Sequence, residues 1–298
     1  MTAPFKRAII YARHHRTHEG VLEALHNLTA LLDQQAVETV LDPDTLLNFS
    51  LPYPVLCREA MGKPGDVMIV VGGDGSLLSA ARIAVEVNVP VVGIHRGHLG
   101  FLTDLPPQDL SEDLPAILNG HYLVEKRFLL QTSVESERGT TFSAKALNDV
   151  VINRGAETHL MAFDLFINHR FVSHYRAVGL IIATPTGSTA YALSAGGPIV
   201  HPSLDALILV PMFAHRLSSR PLVIPANASI TIKPDTSNEL PLAVSADSHL
   251  QAPLTPHQWL TVKSHPILLT LLHPLHYDYF DTLRIKLGWE TNPSGGSL

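Results

Sequence analysis

Near its start the chain carries a short apolar run, RAIIYA, followed by HEGVLEALHNLTALLDQQ, in which Val21, Leu22, Leu25, Leu28, Leu31 and Leu32 recur at helical spacing. The first stretch predicts a buried strand, the second an amphipathic helix that covers it. ETVLD predicts another strand and DVMIVV (66–71) a third. SLLSAARIAVEV then has helical spacing, VPVVGI (89–94) is again strand-like, and DLSEDLPAILNG (109–120) predicts a helix stopped at Asn119-Gly120. Strands that alternate with helices imply an open parallel sheet with helices on its faces. Residues 1–122 are therefore expected to form an α/β domain.

Beyond about residue 121 the rhythm changes. RFLLQTSVES, TTFSAKALNDVVIN, HLMAFDLFINHRFVSHYR and VGLIIAT are strand-like, and ALILVP, PLVIP, ASITIKP, LPLAVSAD, WLTVKS and ILLTLLH continue the pattern to about 273. Proline and glycine punctuate nearly every gap, which predicts an all-β, sandwich-like domain over 123–274. One helical interruption stands at GSTAYALSAGG (187–197). The tail YDYFDTLRIKLGW (277–289) is helical again, with Phe280, Leu283 and Leu287 at core spacing. That helix is expected to return to the first domain, so that 275–298 join 1–122.

Composition narrows the functional classes. A chain of 298 residues, 46% hydrophobic and 16% charged, suits one large or two ordinary domains and can bury a real core. The net charge is −6 and no stretch is rich in Lys and Arg, which argues against nucleic acid or an anionic membrane as partner. A phosphate-bearing substrate stays possible, because local N–H groups and a few arginines can hold it. Cys57 is the only cysteine, so neither an intrachain disulfide nor a cysteine metal cluster can form. MTAPFKRAIIYARHH lacks the apolar core of a signal peptide, and no apolar stretch approaches the roughly 18–20 residues that span a bilayer. The expectation is a soluble, cytoplasmic protein.

Four stretches could carry chemistry. Gly72, Gly73, Asp74 and Gly75 follow an apolar strand, where open α/β sheets bind ligands. The loop matches neither GxxxxGK[ST] nor GxGxxG. Its carboxylate distinguishes it, since an acid beside phosphates can hold Mg²⁺ or accept a proton from an attacking hydroxyl. GIHRGHLGFLTDL (93–105) gives a second glycine-rich turn at the end of the next strand, forming another wall of the same crevice. TPTGSTAYALSAGGP (184–198) is too polar for a core segment; Ser188 or Thr189 is placed to cap its short helix and turn free N–H groups toward an anion. In LNDVVIN (147–153), Asn148-Asp149 opens an apolar strand. Seventeen histidines, among them His14, His15, His98, His159, His169 and His174, show no HExxH spacing and no cysteine partner, so a metal centre is not expected.

In this order, GGDGS, GIHRGHLGFL, LNDVVI and TPTGSTAYALSAGGPI resemble the NAD kinase family in its bacterial form, and LSSRPLVI, VSADSH and LRIKLGW extend the resemblance over roughly 6–290. GGDG alone is shared with lipid and sugar kinases; TPTGSTAY with SAGGP is far more specific. The resemblance implies transfer of the γ-phosphate of ATP to the 2′-hydroxyl of the adenosine ribose of NAD. Asp74 would be the general base, with Gly72, Gly73 and Gly75 along the donor phosphates. Asp74, Gly75, Phe101, Asn148, Asp149, His159, Arg176, Val178, Thr189, Ala190, Tyr191, Ala192, Leu193, Ser194 and His249 would contact NAD. Mg²⁺ would arrive on the nucleotide phosphates, and the chain would form a homodimer or homotetramer. His95 and Ser76 replace the family's usual Asn and Thr. Val178 replaces an aspartate, which implies weaker or differently oriented NAD binding on that side. The alternatives are a lipid or sugar kinase sharing GGDG, or a sensor that binds NAD(P) without turnover.

Overall fold

The structure is a computed structural model that describes residues 4–13, 19–49, 51–96, 99–155, 159–216, 218–238 and 240–289. His14, His15, His98 and Leu217 lie outside the described residues. The chain divides into two compact units, one from residues 1–126 with 269–298 and the other from residues 127–268.

In the first unit, β1 (Arg7–Ala12), α1 (Glu19–Gln34), β2 (Glu38–Leu41), α2 (Pro43–Asn48), β3 (Asp66–Val71), α3 (Asp74–Val87), β4 (Val91–Ile94), α4 (Leu110–Leu118) and β5 (Leu123–Arg127) follow in order. The strands β2 and β3 flank β1 in parallel, and β4 runs parallel beside β3, as strand–helix alternation requires. Helix α1 buries Val21, Leu25, Leu28 and Leu32, while Leu22 falls off the stripe and is exposed. The sequence reading missed α2, although its signals are present. Asp42 accepts a hydrogen bond from the Asp44 N–H at 2.9 Å, and Pro43 occupies the first turn.

The second unit holds β6 (Leu130–Ser136), β7 (Gly139–Ala146), β8 (Asp149–Asn153), β9 (Met161–Ile167), β10 (Arg170–Ala177) and β11 (Gly179–Ala183). The four-residue helix α5 (Tyr191–Ser194) comes next. It is followed by β12 (Ala206–Met212), β13 (Leu222–Pro225), β14 (Ile230–Pro234), β15 (Leu242–Ala246), β16 (Leu250–Leu254) and β17 (Trp259–Ser264). They form two six-stranded sheets, β10-β9-β14-β17-β6-β7 and β13-β12-β11-β8-β15-β16. Phe163, Leu165 and Ile230 of one sheet share a core with Ile152, Ile182 and Val244 of the other, which is the predicted sandwich. The helical interruption is shorter than its sequence suggested. A 3₁₀ turn over Thr186–Thr189 precedes α5, and no side chain caps α5.

The chain then returns to the first unit through β18 (Leu269–His273) and α6 (Tyr279–Leu287). ILLTLLH reads in sequence as a continuation of the β-rich half; in space β18 pairs in parallel with β4 and completes the order β2-β1-β3-β4-β18-β5. An apolar run of this length fits either sheet, so composition could not assign it. Helix α6 starts at Asp278, which accepts from the Phe280 N–H, and ends at Gly288 with φ of 64°. Its buried face is Tyr279, Thr282 and Leu283. Phe280, expected in the core, is 53% exposed. Among the described residues, no helix is long and apolar enough to cross a membrane.

Candidate functional site

At the carboxyl end of β3 the chain turns through Gly72 and Gly73 and enters α3 at Asp74. Asp74 is thus the first residue of the helix. Gly73, at the N-cap, makes no side-chain cap, and a Cβ at Gly73 or Gly75 would meet nothing within 4 Å. The start of the helix is open where a ligand could lie against backbone.

The turn after β4 closes on this point. The N–H of His95 donates to Leu105 O and that of Leu105 to Gly93 O, so the segment doubles back on the strand end. The Phe101 N–H donates to Asp74 Oδ2 at 2.9 Å and the Leu102 N–H to Oδ1 at 3.0 Å, with the Thr103 hydroxyl 3.4 Å from Oδ1. A carboxylate has about four acceptor positions. Two bonds on Oδ1 and one on Oδ2 leave a single position on Oδ2, which fixes the direction in which Asp74 can take a proton. Gly100 is required for this approach, because a Cβ there would run into the Asp74 carboxylate. Phe101 is half-buried, and Lys286 Nζ lies 5.5 Å from its ring centroid.

In the second unit, Asn148 and Asp149 are held from two sides. Thr184 donates its hydroxyl to Leu147 O at 2.6 Å and its N–H to Asn148 O at 2.9 Å. Asp247 accepts from the N–H groups of Leu147, Asn148 and Asp149 at 2.9, 2.8 and 3.3 Å. A Cβ at Gly187 would strike the backbone of Asn148, so this glycine lets the Thr186–Thr189 turn seat against it. Burial, with a smaller contribution from the neighbouring Asp247 charge, pushes the Asp149 carboxyl up to about 7.

Ser188 and Thr189 do not act as the helix cap expected from sequence. Ser188 is buried, donating to Pro185 O and accepting from the Val200 N–H, and Thr189 donates to Thr186 O. The segment's internal carbonyls take both hydroxyl protons and the returning Val200 N–H also occupies the Ser188 oxygen, while the half-buried Thr189 oxygen keeps its acceptor positions. Tyr191 and Ser194 are exposed, Ala190 and Leu193 are half-buried, and the Ala192 methyl packs into the core beneath them. His249 is exposed just after the Asp247-Ser248 turn, both of whose residues have positive φ.

The remaining predicted residues lie elsewhere. Gly179 pairs with Asn153, and Ala183 with Asp149. Val178, one residue before Gly179, therefore sits at the opposite end of β8 and β11 from Asn148 and Asp149, roughly 16 Å from the Asp149 position at about 3.3 Å per residue. Arg176, exposed, pairs with Ala162 at that same far end, where His159 is also exposed. The sequence reading missed Asp247, Thr184 and Gly100. Asp247 lies within VSADSH, where an Asp in a tight turn is a backbone-binding signal. Among the described residues, no group of three or more His, Cys, Asp and Glu side chains could hold a metal ion.

Comparison with known proteins follows the same division. The ATP-NAD kinase N-terminal domain model matches residues 31–122, and the C-terminal domain model matches 147–269. An NAD kinase of Legionella pneumophila (strain Corby) is 55% identical over 99% of this chain and 100% of its own length. One from Chromohalobacter salexigens is 46% identical over 91% of this chain and 93% of its own. In fold, the crystal structure of yeast NADH kinase complexed with NADH matches with a TM-score of 0.85 at 23% identity, over 98% of this chain and 89% of that one. The glycine turn carrying Asp74 and the TPTGSTAY turn seated on Asn148 are thus framed by matches over nearly the whole sequence, and the chain belongs to the ATP-NAD kinase family.

Proposed function

We propose that the chain phosphorylates the 2′-hydroxyl of the adenosine ribose of NAD with ATP, giving NADP and ADP, and that Asp74 is the general base. The observation that carries the base assignment is the Asp74 carboxylate, fixed by two backbone N–H groups beside an open helix start. A sugar hydroxyl is a poor nucleophile, and phosphoryl transfer is mostly positioning and charge neutralisation. Asp74 takes the hydroxyl proton as the oxygen attacks the γ-phosphorus; Gly72, Gly73 and Gly75 let the phosphates approach backbone. Asn148, Asp149, Thr189, Ala190, Tyr191, Ser194 and His249 hold NAD, with Phe101 over the ligand.

Mg²⁺ arriving with the nucleotide phosphates supplies charge neutralisation. The donor set fits that role better than a resident cage, since the Asp74 oxygens are largely engaged by the 101–103 backbone and hydroxyl. The working form is a cytoplasmic homodimer or homotetramer. Two edge strands leave apolar side chains uncovered, Phe171 and Val172 on β10 and Leu222 and Val223 on β13. The roughly 16 Å between Asp149 and Val178 also suits an NAD site that takes one end from each of two copies.

The lipid- or sugar-kinase alternative is not favoured, because the matching family models and curated relatives are NAD kinases. Conversion of NAD plus ATP to NADP, read in a coupled dehydrogenase assay, separates a kinase from a sensor. Asp74→Asn is expected to lower kcat by at least about 100-fold, the usual contribution of a general base, with NAD affinity by calorimetry changed little. Near-normal turnover in that variant refutes the role of Asp74.

A further inference from the structure

The segment that returns after the second unit touches the Asp74-binding turn at both ends. At its start, Lys286 of α6 donates to Leu99 O at 3.0 Å and lies over the Phe101 ring. At its other end, the imidazole of His273, the last residue of β18, is 3% exposed and sits between two carboxylates. Nδ1 is 2.8 Å from Asp104 Oδ2, and Nε2 is 3.1 Å from Glu125 Oε2 on β5. The ring also stacks on Tyr277, with centroids 4.0 Å apart. Only the imidazolium donates from both nitrogens at once, so both contacts are made as donor bonds only while the ring is charged. Asp104 directly follows the three residues whose N–H and O–H groups face Asp74.

We propose that the returning segment is a positioning clamp for catalysis: His273 and Lys286 fix the two ends of the 99–104 turn, and the turn fixes the Asp74 carboxylate. This rests on reading Asp74 as the base. His273 and Lys286 touch no reacting atom; they act through the turn. A structural role alone would need neither contact here, since β18 is already held in the sheet by β4 and β5, and Lys286 is exposed. Geometry is where the gain lies, because a displacement of about 1 Å in a reacting group can cost 100-fold in rate.

The charge on His273 supports the arrangement. Burial pulls its pKa down, but the bonds to Asp104 and Glu125 and their charges outweigh that and push it up to about 9. Relative to an unfolded histidine near 6.5, the stabilisation is complete below that value and is lost as pH rises through about 9.

The test uses the full-length enzyme. Lys286→Gln changes an exposed helix residue; it is expected to lower kcat by about fivefold to tenfold with the melting temperature unchanged, and Lys286→Arg to restore most of the loss. The wild-type kcat profile should fall on an alkaline limb near pH 9, and His273→Gln should be slow at pH 7.5 and lack that limb. Unaltered kcat in Lys286→Gln, or a His273→Gln enzyme that folds and keeps the wild-type profile, overturns the clamp. If His273→Gln does not fold, the Lys286 pair decides alone. Asp74→Asn run in parallel separates the readings: if it stays active the base assignment fails, whereas if it is inactive while Lys286→Gln is normal, only the clamp fails.

Discussion

Asp149 is a buried carboxyl that no described group donates to, and its burial raises its pKa to about 7. Such a group is costly to a fold and useful to a ligand that brings a donor. If Asp149 accepts from an amino or hydroxyl group of NAD, the ionised form binds better. The KM for NAD should then fall as pH rises from 6 to 8, and Asp149→Asn should flatten that dependence. Stability runs the other way. The folded carboxyl keeps its proton to about pH 7 and the unfolded one loses it near pH 4, so stability falls as pH rises through that interval. Thermal melts should show Asp149→Asn gaining on wild type from pH 5 to pH 8; parallel melting curves would remove the idea. None of this was legible in the pair Asn148-Asp149, because a raised pKa comes from what surrounds the residue. Asp247, about a hundred positions away in sequence, supplies part of it.

At the scale of elements, the turn after β4 is the part of the site least like its sequence. GFLTDL reads as a flexible wall, yet it is a backbone receptor for one side chain, with Gly100 as the position that permits contact. Gly100→Ala should push Asp74 out of register or peel the turn away from it. We expect kcat to fall at least tenfold with secondary structure intact by circular dichroism; a fully active alanine variant would show that the turn and Asp74 need not touch. Periodicity marked β1, α1, β3, α3 and β4 correctly, since each buries a face of the expected period. It could not mark α2, too short to show a period, or the sheet to which β18 belongs. Nor could it place the 3₁₀ turn before α5, where Gly187 is selected by the closeness of Asn148.

For the whole molecule, the two ends of β8 and β11 carry different parts of the predicted NAD contacts. Val178 occupies the end far from Asp149, where the family pattern has an aspartate. Replacing it by Asp introduces an acceptor two residues from Arg176 in sequence, and the KM for NAD should drop severalfold with little change in kcat, as expected when only uniform binding is gained. An unchanged KM would mean that this end does not reach the ligand. That the chain holds an α/β unit and a β sandwich was readable from the change of rhythm near residue 121. How the predicted NAD residues would divide between the two ends of one sheet was not, because motif order in sequence carries no register.

The route of the chain has a consequence for how the enzyme comes into being. Translation delivers β18 and α6 only after the entire second unit, on the order of ten seconds later at ordinary elongation speeds. Until then β5 lacks the neighbour that separates it from β4, and the turn facing Asp74 lacks both His273 and Lys286. A nascent chain can therefore carry every strand of the sandwich and most of the parallel sheet while the turn facing Asp74 still lacks two of its anchors, and those contacts arrive last, with the residues that close the first unit.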